Sequence, residues 1–394
     1  MKALQELVVL YLTRVLAGPY ASMMLADFGA NVIKIETPDG GDDSRAFGPF
    51  AGTESIYFMS LNRNKRSMTL NLKSAEGKQL FMDMVKTADI VLENYRPGTM
   101  EKLGLGYETL QEINQGIIYA ACSGFGHTGP YSSKPAYDVI VQGMGGVMSI
   151  TGQEDGEPTR VGASIGDINA GLFTVIGILT ALHHRTQTGK GQKVDVGMLD
   201  CQVAILENAI ARYLASGKVP APLGNRHPSI TPFEPFKARD GYVIIAVGND
   251  KLWEKFCNLI GRPELIDDER FATNPGRTEN QRQLKVILDT VFPAKSVDEW
   301  LATLEGEGIP CGPLNTVDKV IEDPQIKARE MIVETVHSVA GAVKMAGVPI
   351  KLSLTPGAVE KPAPLLGQHT QEILQDMLGL TSEQIAEMKS KKVL

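Results

Sequence analysis

Residues 160–171, Arg-Val-Gly-Ala-Ser-Ile-Gly-Asp-Ile-Asn-Ala-Gly, place one carboxylate, Asp167, in a glycine-flanked turn ahead of an uncharged segment. A carboxylate so placed can act as a nucleophile and form a covalent intermediate. From Ile168 to His183 the chain carries Leu172, Phe173, Val175, Ile176, Ile178, Leu179 and Leu182, which predicts a buried helix with Asp167 at its start. Unpaired N–H groups and a partial positive charge at a helix N-terminus are expected to hold such a carboxylate ionised. Gly166 and Gly171 are expected to leave room for a bulky ligand. Asp is also among the best N-cap residues, so position alone does not separate a nucleophile from a cap.

Two further constellations carry possible chemistry. Arg63, Lys65 and Arg66 crowd one short stretch, which by residue type reads more readily as a solvated turn than as a phosphate site. Gly124-Phe-Gly-His-Thr-Gly129 matches a dinucleotide-binding turn after a strand. Pro130 and the following Tyr-Ser-Ser-Lys-Pro bar a helix there, so a pyrophosphate would lack its helix N-terminus and nicotinamide or flavin binding is not expected.

The elements that must position these groups alternate. Strands are expected at Leu7 to Leu12, Asn31 to Ile35, Ser67 to Leu72, Asp89 to Glu93, Ile117 to Cys122 and Lys193 to Val196. Helical patterns lie between them, at Met23 to Leu25, Ala75 to Thr87, Tyr107 to Asn114 and 168–183. This alternation predicts an α/β fold with a parallel sheet. Prolines and glycines between Gly217 and Pro235 mark a boundary, after which Phe236 to Val247 reads as a hairpin turning at Asp240-Gly241. We therefore expect a large Rossmann-like domain over 1–216, to which 326–394 returns, and a smaller α+β domain over 225–325. The returning segment reads as an extended tail ending in a helix near Gln371 to Met377.

Composition narrows the function classes. Of 394 residues, 43% are hydrophobic and 22% charged, as in an ordinary globular protein. Against 46 acidic residues stand 39 basic ones, a net charge of -7, so no global positive field draws in nucleic acid. Cys122, Cys201, Cys257 and Cys311 are far apart, which argues against a metal site or disulfide framework. No apolar run is expected to reach the roughly 18 residues of a membrane span, and a cytoplasmic location is expected.

Seven segments in order carry a resemblance over nearly the whole chain: Thr13-Arg-Val-Leu-Ala-Gly-Pro19, Asn64-Lys-Arg-Ser67, Glu93-Asn-Tyr-Arg-Pro-Gly98, Ser123 to Pro130, Gly166-Asp-Ile-Asn-Ala-Gly171, Gly189-Lys-Gly-Gln192 and Pro364-Leu-Leu-Gly-Gln-His-Thr370. Together they resemble the family III CoA-transferases of the CaiB/BaiF type. Phe233 to Val243 and Gly308-Ile-Pro-Cys-Gly-Pro313 are most similar to the branch that includes succinyl-CoA:glutarate CoA-transferases. The resemblance implies an interlocked homodimer, no tightly bound cofactor, and coenzyme A or acyl-CoA as substrate with a carboxylic, possibly dicarboxylic, acid as partner. It implies that Asp167 is the catalytic carboxylate, passing through an aspartyl anhydride and an aspartyl-CoA thioester. It implies CoA contacts at Leu70, Lys73, Asn94, Tyr95, Arg96, Lys102 and Tyr137, and at Arg63 and Arg66.

Departures from the pattern bear on the acid. Leu16 stands where formyl-CoA:oxalate transferases have a glutamine, and their tetraglycine loop is missing, which argues against formate and oxalate. Gly224-Asn-Arg-His-Pro228 occupies that loop's place. With Arg14 and Arg45, Arg226 and His227 could meet the far carboxylate of a dicarboxylic acid. Tyr11 stands where the family usually has Asp. An α-methylacyl-CoA racemase, the same fold with a His/Asp pair, is a competing reading; Tyr137 stands where its His would be. An inert acyl-CoA-binding paralogue is another.

Overall fold

The computed structural model describes residues 1–394, which form two compact units. The first comprises Met1–Val147, Arg160–Gly217 and Pro324–Leu394; the second comprises Met148–Thr159 and Lys218–Asp323.

The first unit is built on six parallel strands: β1 (Val8–Tyr11), β2 (Asn31–Glu36), β3 (Arg66–Thr69), β4 (Ile90–Glu93), β5 (Ile118–Ser123) and β6 (Lys193–Gly197). Their spatial order is β3-β2-β1-β4-β5-β6. Both faces of the sheet are covered, which is why the strands read as continuous apolar runs rather than alternating ones. Leu10, Ile33, Met68, Val91 and Tyr119 turn to one face and pack on Phe81, Met84, Leu110 and the C-terminal Ile373 and Leu374. Val9, Tyr11, Val32, Leu92 and Ala120 turn to the other, against α1 (Ala17–Asp27) and the long helix that joins β5 to β6. Two helices that position the site lie between β5 and β6, α2 (Asp138–Met144) and α3 (Ile165–Thr188).

Helix α3 corrects two expectations. It begins at Ile165, so Asp167 is its third residue and lies within the first turn rather than ahead of the helix. It also contains an 18-residue window of mean hydropathy 1.7, long and apolar enough to cross a membrane by length and composition. Asn169, Gly171, Thr174 and Gly177 break the apolar run to the eye, yet no charged residue lies between Asp167 and Arg185. Its buried face, with Gly166, Ala170, Gly171, Thr174, Ile178 and Ala181, packs on α1 and the sheet. Leu172, Phe173, Ile176 and Leu179 remain exposed in this chain.

The tail is more structured than expected. Antiparallel strands Ile332–His337 and Gly341–Ala346 and a last helix, Ser382–Ser390, accompany the helix Thr370–Leu378. The Pro364–Thr370 motif covers edge strand β3: the Ser67 N–H donates to His369 Nδ1 at 3.2 Å and the Thr69 N–H to Thr370 Oγ1 at 3.1 Å. An edge so covered offers no free ladder to another chain.

In the second unit, Phe233–Lys237, Tyr242–Ala246 and Cys311–Pro313 form an antiparallel sheet, with the hairpin turning at Asp240-Gly241. Trp253, Phe256, Phe271, Phe292 and Trp300 fill its core.

Candidate active site

In an open parallel sheet, ligands bind beyond the strands' carboxyl ends where the strand order reverses. Here that point lies between β1 and β4, since β2 and β3 build outward from one side of β1 and β4 to β6 from the other. The turn after β1 (Thr13–Leu16) and the turn after β4 (Asn94–Pro97) meet there. Asn94 staples them: the Arg14 N–H donates to Asn94 Oδ1 at 2.9 Å, and Asn94 Nδ2 donates to the Arg14 carbonyl at 2.9 Å. Val15 sits at φ 67°, a conformation that L side chains, and β-branched ones above all, adopt only when their surroundings impose it.

A cavity of about 220 Å³ opens at this point, lined by Arg14–Ala17, Asp43, Asn94–Pro97, Cys122–Gly124, Lys134–Tyr137, Asp167 and Met198. Asp167 reaches it from the first turn of α3, and its carboxylate has no hydrogen-bond partner within the chain. The helix N-terminus is instead capped from α2, where Asp138 Oδ1 accepts the Gly166 N–H at 2.8 Å while Oδ2 accepts from Gln142 Nε2 at 2.8 Å. Burial and the Asp138 carboxylate push Asp167 up to about 7. The expectation of a fully ionised Asp167 is therefore corrected: a second carboxylate has taken the helix's N–H and adds repulsion. A carboxylate titrating near neutrality is both available as an anion and more nucleophilic than an ordinary one. Cys122 lines the same cavity, but burial raises its thiol to about 12, so it does not compete as a thiolate.

The two glycines beside Asp167 make room for protein rather than ligand. A Cβ on Gly166 would stand 2.7 Å from Val141 Cγ2 and 2.9 Å from Asp138 Oδ1; one on Gly171 would stand 2.8 Å from the Ala17 carbonyl oxygen. They permit the close crossing of α3 on α2 and α1 that aims Asp167.

Of the residues singled out in the sequence, Arg14, Leu16, Asn94, Tyr95, Arg96, Tyr137 and Asp167 share this cavity. Tyr95 is anchored by its N–H on Glu93 Oε2 at 2.7 Å, and Arg14 lies 5.6 Å from its ring centre. Lys73 and Lys102 are exposed and do not line it. Leu70 is buried in the sheet's core, so its side chain offers no slot to an adenine.

Three arginines are engaged elsewhere. Arg63 pairs with Asp27 at 2.7 Å, both side chains 3% exposed, because the chain turns inward there. Arg66 pairs with Glu372 at 2.7 Å. Arg45 grips Glu36 through two 2.8 Å bonds and lies over the Phe58 ring, so it is not free for a substrate acid. Lys65 is buried, donating to the Pro19 carbonyl and Asn62 Oδ1. Arg226 and His227 belong to the second unit, where Arg226 binds Glu154 and Gln281 and His227 accepts from the Ser229 N–H and lies against Phe233.

The sequence reading passed over several groups. Asp138 was visible only as the residue after Tyr137 in the stretch that resembles the racemase Gly-His-Asp. Tyr57 is pushed up to about 12 by burial and by the negative charge of Asp167. Ser123, at the end of β5, holds a buried hydroxyl without a partner on the cavity wall.

Fold and site together define an α/β protein with a carboxylate-bearing cavity at the switch point of its parallel sheet. The model of CoA-transferase family III matches residues 4–370, and the chain belongs to that family. It is 42% identical to succinyl-CoA:glutarate CoA-transferase of Mus musculus, over 96% of this chain and 87% of that one. It is 44% identical to acetyl-CoA:oxalate CoA-transferase of Acetobacter aceti, over 92% of each. A CAIB/BAIF family protein from Brucella suis has the same fold, with a TM-score of 0.86 and 42% identity over 95% of this chain and 99% of that one. The chain is thus an enzyme that moves CoA between acyl-CoA and carboxylic acids.

Proposed function

We propose that this enzyme takes CoA from an acyl-CoA, with succinyl-CoA as the first donor to test, and passes it to a dicarboxylic acid through Asp167. The observation that carries this reading is a single unpaired carboxylate, raised toward neutrality, in a cavity at the sheet's switch point. Asp167 attacks the thioester carbonyl; the C–S bond breaks, giving an aspartyl anhydride and CoA thiolate. The thiolate then attacks the Asp167 carbonyl, giving an aspartyl-CoA thioester and releasing the donor acid as carboxylate. The acceptor carboxylate attacks that thioester and expels the thiolate, which attacks the acceptor's acyl carbon and restores Asp167.

Asn94, Tyr95, Arg96 and Tyr137 line the cavity's CoA side in this reading. Lys73 and Lys102, exposed cations, would meet the phosphates; Arg63 and Arg66 are paired within the protein and are not assigned that task. Of the cations on the cavity wall, Arg14 is assigned to a far carboxylate, since its partner Asp43 is itself half exposed and the pair is loosely held. Tyr137 in place of an imidazole disfavours the racemase reading, and an unpaired carboxylate in the cavity disfavours an inert binder. The exposed apolar residues of α3 support burial against a second copy in a homodimer. The reading is tested by chromatography of CoA esters after incubation of succinyl-CoA with glutarate, oxalate or acetate. Formation of glutaryl-CoA faster than acetyl-CoA supports it; exchange into acetate alone overturns the dicarboxylate assignment.

A further inference from the structure

The cavity wall contributed by Thr13–Leu16 is held from below by buried charges that make no contact with the cavity. Lys34, in β2, and Asp42 form a 2.7 Å ion pair whose side chains are 1% and 0% exposed. Each also holds the turn. Lys34 Nζ donates to the Thr13 carbonyl at 3.0 Å, and Asp42 Oδ1 accepts the Val15 N–H at 3.2 Å. Val15, whose N–H makes the second of these bonds, is the residue at φ 67°. The remaining capacity of the pair is filled by Tyr11, whose hydroxyl accepts from Lys34 Nζ at 3.1 Å, and by Ser44, whose N–H and hydroxyl donate to Asp42 Oδ1.

Two charges taken fully out of water are costly to keep, and apolar residues of the same shape commonly serve stability as well or better. Stability alone is therefore a poor account of this pair. What it supplies that an apolar pair cannot is two directed bonds, which fix the peptides on either side of Arg14 and so the approach to Val15, a residue that the backbone would otherwise return to a relaxed conformation. We propose that Lys34 and Asp42 are positioning residues for CoA transfer, clamping the Thr13–Leu16 turn so that its wall is fixed relative to Asp167. Tyr11 completes the clamp as a neutral acceptor for Lys34 Nζ. This inference rests on the acyl-transfer reading of Asp167.

The test is the double variant Lys34→Met/Asp42→Leu, which removes both charges together and leaves no unpaired ion. Its melting temperature is expected within a few degrees of the parent's. Its kcat for CoA transfer is expected to fall roughly 10- to 100-fold, the scale of misplacing a reacting wall, while KM for the acyl donor changes little. Adding Val15→Gly, which adopts φ 67° without strain, is expected to restore a large part of kcat; a purely structural role would not be relieved there. An unchanged kcat, or a loss that Val15→Gly does not relieve, overturns the proposal. If the double variant does not fold, Asp42→Glu decides in its place, since it keeps a carboxylate for Lys34 while displacing it from the Val15 N–H: kcat falls if the clamp matters and is unchanged if it does not. Hydroxylamine trapping on the parent enzyme separates the two levels. A parent without modification at Asp167 overturns the underlying reading and the clamp with it, whereas a trapped parent beside a double variant of full kcat overturns the clamp alone.

Discussion

Asp138 and Asp167 share one helix N-terminus: the Asp138 carboxylate accepts the Gly166 N–H at 2.8 Å, one residue before Asp167 in the first turn of α3. The group that caps the helix is thus not the group that faces the cavity. A like charge beside a partly buried carboxylate disfavours its ionisation, and both effects move Asp167 upward.

The rising limb of kcat/KM against pH is therefore expected to centre near 7, set by ionisation of Asp167. Asp138→Asn keeps an oxygen for the Gly166 N–H and removes the charge. Its limb is expected to move to lower pH while staying above that of an ordinary aspartate, because burial, the larger cause, persists. A pH–rate profile of the variant that overlays the parent's contradicts this.

The same shift makes a stability prediction of opposite sense to the usual one. The folded chain holds the Asp167 proton up to about 7, whereas the unfolded chain releases it near ~3.9, so stability falls as pH rises between those values. Such a gap is worth ~4 kcal/mol at full strength, and solvent around the partly exposed carboxylate reduces it to about 1–2 kcal/mol. Asp167→Asn is expected to be more stable than the parent by that amount at pH 8 and indistinguishable from it at pH 4. Urea unfolding at the two pH values measures it; a variant that is destabilised at pH 8 contradicts it.

Arg14 and Arg45 separate a substrate role from a structural one. Arg14 lines the cavity and shares only a half-exposed pair with Asp43, so Arg14→Ala is expected to leave the melting temperature nearly unchanged and to lower the preference for dicarboxylic over monocarboxylic acceptors about tenfold. Arg45→Ala leaves Glu36 buried without its cation and is expected to cost about 3 kcal/mol of stability. Acceptor competition assays and thermal melts of the two variants check both. An Arg14 variant with unchanged acceptor preference removes it from the acid site.

Much of the large unit was legible because parallel strands buried on both faces leave continuous apolar runs: Val8–Tyr11 and Ile90–Glu93 lie within the stretches those runs marked, and Ile118–Ser123 overruns its stretch by one residue. What escaped depended on contacts distant in sequence. Arg63 and Arg45 look like available cations until Asp27 and Glu36 are seen to hold them. Gly166 and Gly171 look like room for a ligand until Asp138 and Ala17 are seen to fill it. The C-terminal motif carried a resemblance, while its work on the edge of β3 is visible only in the bonds to Ser67 and Thr69. Tyr11 could not be interpreted from its neighbours in sequence, since its partners Lys34 and Asn62 come from β2 and the helix Ile56–Asn62.

The central claim is that Asp167 carries the acyl and CoA groups covalently. The most direct measurement is incubation with succinyl-CoA and hydroxylamine, followed by mass spectrometry of the peptide containing residues 160–171. The account predicts a hydroxamate on Asp167 that forms only with the acyl donor present and is absent from Asp167→Asn. Turnover with Asp167 unmodified, or trapping at another residue, would contradict it.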